Sequence, residues 1–331
     1  MNWKISWKNI IAGLVIAVLL SYFLLSQVKI SEIGRALKSF PVWALLTVVG
    51  IQLMLNFLKS IRFKTLFNGA LGITQLSPII FLHNLFIIFA PSRSGELAFP
   101  YFLKDRFDIP VGRSLSVLVI ARVLDVLVIL TLVLATVLIG FRDQVGSIRG
   151  FVPLSIAGLI LLLVFFWMVL KHALWMKGKF GIFFNRWHLY EKKFIGMLIR
   201  KFEEVLIALS EIHDFKKILK VSFLTFVIWP ITFCFEFVLF RSLGIEVTYW
   251  QFLVIAFFPI LVNIIPVQSL AGVGTYEATF VGGFLLFGFS QETIVPLAFS
   301  VHIILLASTA LLGLVGFFIS PRNRVPVLEN N

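Results

Sequence analysis

Apolar runs of bilayer length recur along this chain, at residues 10–27, 41–58, 114–141, 151–170, 221–243 and 293–319. A helical span needs about 20 such residues. Inside lipid every backbone N–H and C=O must be satisfied within the protein, so such runs dictate helices. The hydrophobic fraction is 60% and the charged fraction 14%, against about 45–50% and about 25% in soluble domains. The reading is an all-α polytopic membrane protein, and soluble α/β classes are excluded. The 37 phenylalanines are spread over many segments and are read as lipid-facing bulk. One cysteine, Cys234, excludes an internal disulfide and a Cys-based zinc cluster. It is expected to pack inside an apolar helix.

Two further apolar segments, 74–90 and 249–265, are short for a span. Each runs into a polar break. The first is Pro91-Ser92-Arg93-Ser94-Gly95-Glu96 and the second is Pro266 to Glu277, containing Gly272, Gly274 and Tyr276. Each begins with proline and ends with glutamate, and each is followed by a short apolar return, 97–103 and 278–289. Helix breakers and ionised groups at bilayer depth are costly unless buried in protein or set against a wet cavity.

Charge orients the spans. The net charge is +13, from 29 Lys and Arg against 16 acids. The basic loops are the N-terminus (Lys4, Lys8), the Lys59–Arg62–Lys64 cluster, 104–113, the tail with Arg322 and Arg324, and 171–220. The last carries eleven Lys and Arg against five acids. Apolar residues recur at helical spacing over 192–212, which suits an amphipathic surface helix or a packed cytoplasmic hairpin. Lys4 and Lys8 before the first run look like the start of a signal peptide, but no small-residue cleavage site follows, so an uncleaved first span is expected. Keeping every basic loop cytoplasmic makes 74–103 and 249–289 oppositely oriented re-entrant hairpins. The expectation is one transmembrane domain over 1–331, with six full spans, two hairpins and both termini cytoplasmic in the cell membrane. Two inverted repeats with broken helices meeting near the midplane are how many transporters build a substrate site. The alternative is that both short segments cross fully.

Four motifs now stand in order: Asn56…Lys59…Arg62, Pro91-Ser92-Arg93-Ser94-Gly95-Glu96, Arg122-Val123-Leu124-Asp125, and Pro266…Gly272-Val273-Gly274-Thr275-Tyr276-Glu277. Together they resemble the lysylphosphatidylglycerol synthase/flippase transmembrane family over residues 5–320. The resemblance implies a membrane domain that moves or binds anionic or isoprenoid-type lipids. Members that make aminoacylated lipid carry a large cytoplasmic acyltransferase-like domain after the spans. This chain stops at Asn331, so it is not expected to perform that synthesis alone.

The expected function is binding and translocation of an anionic phospho- or isoprenoid-phosphate lipid through a polar midplane cavity. The expected substrate-binding residues are Asn56, Arg62, Arg93, Ser94, Gly95, Glu96, Arg122, Asp125, Gly272, Gly274 and Glu277. Arg93 leads, because a guanidinium fork suits phosphate, with Arg62 and Arg122 as helpers. Glu96 and Glu277 hold those arginines or carry a proton. Arg122 and Asp125 share a helix face and equally well neutralise one another. Glu236 is expected to pair with Arg241 as structure, and His83 and His302 as helix contacts. No His-Glu-x-x-His, cysteine cluster or P-loop is present, and Asp105-Arg106-Phe107-Asp108 is a low-specificity match to a magnesium-binding pair. Hence no catalytic residue, cofactor or metal is expected. Partners are membrane lipids and a separate lipid-modifying or glycan-assembly enzyme, not nucleic acid. The alternatives are a membrane subunit or enzyme for headgroup modification, and a scaffold for a separate synthase.

Overall fold

The computed structural model describes Tyr22, residues 30–89, 95–140, 151–187, 214–264 and 270–321, and eight scattered positions between 195 and 207. The regular elements among them are all helical: α1 (Ile30–Lys38), α2 (Val42–Leu66), α3 (Ile73–Phe89), α4 (Ala98–Phe107), α5 (Val111–Ala135), α6 (Phe151–Arg186), α7 (Phe215–Ser242), α8 (Tyr249–Ile264), α9 (Thr275–Leu285) and α10 (Gln291–Ile319). Four of these, α2, α5, α7 from Lys216, and α10, are long and apolar enough to cross a membrane. Helices α3 and α8 are apolar but shorter. The expected first span, 10–27, and nearly all of the 192–212 stretch lie outside the described residues. The run 151–170 does not stop at Lys171. Helix α6 continues to Arg186 through a bend at His172 (φ −112°, ψ 16°), because no proline intervenes to end it.

The chain forms two compact units. The first holds residues 1–57, 77–99 and 230–320. Its core is aromatic: Phe240, Phe252, Phe280 and Phe284 are fully buried, with ring centroids 5.0–6.4 Å apart across α7, α8 and α9. These phenylalanines therefore serve as core rather than as lipid-facing bulk. Helix α10 approaches α3 through two glycines. A Cβ on Gly316 would stand 2.7 Å from Phe81 Cβ, and one on Gly313 2.7 Å from Leu85 Cβ. Small residues at i and i+3 let helices close up where lipid offers no hydrophobic drive. Polar side chains add ties: Ser300 Oγ to the Ile33 carbonyl at 3.3 Å, and Gln52 Nε2 to Ser308 Oγ at 3.0 Å. Cys234 lies on an exposed face of its helix rather than inside the packing.

The second unit holds 58–76, 100–229 and 321–331. Helix α5 packs on α6 within it. Lys217 Nζ donates to Asn68 Oδ1 at 2.6 Å, and Arg106 donates to the Pro321 carbonyl. Asp108 pairs with Lys104 at 2.5 Å and Asp105 with Arg106 at 3.1 Å. Both acids of that stretch are thus engaged by cations of their own helix.

Candidate functional site

In the second unit, one carboxylate gathers several donors. Asp125 stands midway along α5 and is 5% exposed. Arg62, 4% exposed, donates from Nη1 to Asp125 Oδ1 at 2.6 Å. The indole N–H of Trp229 on α7 reaches the same oxygen at 3.0 Å. Arg122, one turn earlier on α5, lies 3.6 Å from Oδ2. Its side chain is 46% exposed. Lys59, three residues before Arg62 on one face of α2, feels Arg62, Arg122 and Asp125 electrostatically. Among the described residues, three basic side chains therefore act on one carboxylate. The Nε of Arg62 has no hydrogen-bond partner among the described residues. Basic side chains gathered around a guanidinium N–H that has no partner among the described residues suit an anion.

The first unit holds two glutamate–histidine pairs, one for each break. The end of the first break is described from Gly95, which with Glu96 and Leu97 forms a single 3₁₀ turn. The turn sits hard against α3: a Cβ on Gly95 would meet the Phe86 carbonyl oxygen at 2.1 Å. No other residue fits there. Glu96 Oε2 lies 3.6 Å from His83 Nε2 on α3, within ion-pair range and beyond a hydrogen bond.

The second break ends in a strained turn. Ala271, Gly272 and Gly274 all take positive φ, at 55°, 71° and 84°. Two are glycines because a Cβ penalises that region, and Ala271 bears the cost. The turn starts α9, whose third residue is Glu277, 1% exposed. Glu277 Oε2 accepts the Gly274 N–H at 2.6 Å, half of a capping box. Its Oε1 is 2.7 Å from His302 Nδ1 on α10. The His302 ring stacks on Tyr276, centroids 4.3 Å apart. A cavity of about 260 Å³ opens here, lined by Ile87 and Ile88 of α3, Pro259 of α8, the turn at Ala271 and Gly272, the α9 residues Thr275, Tyr276 and Thr279, and the α10 residues His302, Leu305, Leu306 and Thr309. The end of the helix before the first break and the turn of the second break thus share one cavity.

The expected site residues therefore fall into three groups. Arg62, Arg122 and Asp125 come together, with Asp125 held more closely by Arg62 than by its own helix neighbour. Glu277, Gly272 and Gly274 come together around His302. Gly95 and Glu96 pack with α3. Asn56 is buried and spends its amide on the Ser77 carbonyl at 3.4 Å, so it ties α2 to α3. Arg93 and Ser94 lie outside the described residues. Both carboxylate oxygens of Glu277 are taken by Gly274 and His302. Glu236 does not pair with Arg241 among the described residues; five residues apart, the two project from different helix faces. It falls instead within electrostatic reach of the Tyr276 hydroxyl. The expected substrate-binding set left out Lys59 and Tyr276, although both stand within the motifs, as well as Trp229 and the two histidines. Asp125 and Trp229 are 104 residues apart and no spacing joins them. His302 carried one signal, an ionisable ring within an otherwise apolar span.

A model of the family described as the lysylphosphatidylglycerol synthase TM region matches residues 10–313, which takes in every cluster above. Comparison with curated proteins and with solved structures found no match. The apolar span-length helices and the family match agree on an integral membrane protein. The match covers nearly the whole chain, and the protein belongs to the lysylphosphatidylglycerol synthase transmembrane-region family, whose members are membrane proteins linked to lipid modification and flipping.

Proposed function

We propose that this protein binds an anionic lipid headgroup at the Lys59–Arg62–Arg122 cluster and carries the lipid across the cell membrane. The observation that carries the reading is the gathering of Lys59, Arg62 and Arg122 at Asp125 on helices of span length. A charge near the bilayer centre costs about 2.5–3.5 kcal/mol. Basic side chains concentrated at that cost suit a ligand that supplies negative charge. Asp125 holds Arg62 in place, and Arg122, half open, is the residue that meets phosphate. In this reading the short helices α3 and α8 enter re-entrant hairpins of opposite sense, and Arg93 in the first break is a second headgroup contact. Family membership supports a lipid as the cargo.

The test is a flip assay in proteoliposomes with fluorescent phosphatidylglycerol and phosphatidic acid. Wild type is expected to speed equilibration of both. Arg122→Gln and Lys59→Gln are expected to slow it about tenfold or more, the range for hydrogen bonds to a charged group. Rates equal to protein-free vesicles would overturn translocation. A new lipid species in extracts of expressing cells, without flip, would move the assignment to headgroup modification.

A further inference from the structure

We propose that the part of α6 beyond its uncharged run, residues 171–187, lies in the headgroup plane of the bilayer and docks on anionic lipid. The inference is independent of the Asp125 cluster and needs only that the chain is a membrane protein.

Length sets the frame. Helix α6 has 36 residues, about 54 Å of helix. Residues 151–170 carry no charge and match the roughly 20 residues that cross the hydrocarbon core. The turns that remain, about 24 Å of helix, therefore start at headgroup depth. Charge changes at the same place. Lys171, Lys177, Lys179 and Arg186 follow, and no acid stands between residues 151 and 190. The bend at His172 falls one residue past this boundary and sets the second part at an angle to the first.

The side chains of this second part do not suit water. Trp175, Ile182, Phe183 and Trp187 are 52–69% exposed. Phe180, Phe183 and Trp187 recur at helical spacing and so share one face. Phe180 meets the Phe202 ring at 5.6 Å between centroids. Phe183 and Trp187, 6.3 Å apart, stay more than half open. Lys179 and Arg186, seven residues apart, flank this face on one side and Lys177 on the other. Lys179 Nζ stands 5.9 Å over the Trp175 ring. Aromatic side chains bordered by Lys and Arg compose a helix that lies in the membrane interface. There the long stems run over apolar surface while the charged heads meet the headgroups. An exposed apolar row calls for a cover. The acid-free cationic border selects a negatively charged one, and continuity with a run of bilayer length sets the lipid surface beside it.

The experiment is nitroxide spin labelling of the full chain, with Cys234→Ala throughout, in nanodiscs of phosphatidylcholine with or without phosphatidylglycerol. Labels are carried by Phe183→Cys, Trp187→Cys and, on the opposite face, Asn185→Cys. Their relaxation is read with oxygen, which concentrates in lipid, and with a neutral nickel chelate, which stays in water. With phosphatidylglycerol present, the labels at 183 and 187 are expected to favour oxygen and the label at 185 the chelate. Each Lys or Arg near an anionic leaflet is worth about fivefold in the docked-to-free ratio. Lys177→Gln, Lys179→Gln and Arg186→Gln together are therefore expected to lower that ratio about a hundredfold, with the detergent melt unchanged. Discs of phosphatidylcholine alone should show the same loss in the unsubstituted helix. The label at 187 decides the matter if Phe183→Cys fails to fold. Labels at 183 and 187 that favour the chelate would overturn the inference, since the helix would then stand free in water. So would labels shielded from both reagents, which would mean a protein cover, from residues 192–212 or from a partner. An oxygen preference equal in the triple variant and in discs without phosphatidylglycerol would overturn it as well, because the lipid would then be met without regard to charge.

Discussion

Asp125 and Gly95 show how much a single position can decide. Among the described residues, Asp125 is a carboxylate that Arg62, Arg122 and Lys59 share. Replacing it with Asn keeps the shape and removes the charge. Arg62 would then be buried without a counter-ion, a loss of about 3–5 kcal/mol. We expect Asp125→Asn to unfold well below wild type in a detergent melt, and Asp125→Leu with Arg62→Leu to recover part of that loss. A double variant no more stable than Asp125→Asn would remove the ion pair from the account. Trp229→Phe is the milder probe. It deletes one of the two hydrogen bonds that Arg62 and Trp229 make to the Asp125 carboxylate and should cost about 1.5–3 kcal/mol. Gly95→Ala is severe for another reason: its Cβ would fall 2.1 Å from backbone, which has no rotamer to yield. We expect little folded Gly95→Ala protein on size-exclusion chromatography.

At the scale of elements, the argument concerns α9 and α10. The turn before α9 depends on Gly274 at φ 84° and on Glu277 reaching back to it. Gly274→Ala should cost about 1–3 kcal/mol for strain alone. Hydrogen exchange should then rise at the start of α9 before it rises in α10. Uniform exchange along both helices would contradict a local role. Along α10, Gly313 and Gly316 face Leu85, Phe81 and the Pro78 carbonyl. Gly316→Leu overpacks that contact, and about 1–3 kcal/mol is the usual cost, read as an earlier melt. Four of the six apolar runs read from the sequence, 41–58, 114–141, 221–243 and 293–319, are carried by α2, α5, α7 and α10, each long and apolar enough to cross a membrane, because a run of bilayer length has few other ways to satisfy its backbone. The extension of α6 to Arg186 was not legible there. A basic composition marks a loop only where a breaker also ends the helix.

For the whole molecule, the prediction is topological. The positive-inside rule predicts both termini and 171–220 in the cytoplasm. Reporter fusions at residues 40, 147, 215 and 331 should read outside, outside, inside and inside. A periplasmic-type signal at 215 would sink the arrangement, and the opposed hairpins with it. Composition and periodicity alone established a helical membrane protein, and four motifs in order established its family. Those are properties of segments: how long a run is, which residue breaks it, where charge collects. The clusters are properties of approach. Arg62 meets Asp125, Asp125 meets Trp229, and Glu277 meets His302, across 63, 104 and 25 residues of sequence respectively. Tertiary packing alone brought Arg62 and Trp229 to Asp125, set His302 on the second oxygen of Glu277, and buried the Tyr276 hydroxyl. The physical reason is that a helix face has no partner until another helix is laid against it, and the cost of burying charge or a hydroxyl is set by that neighbour.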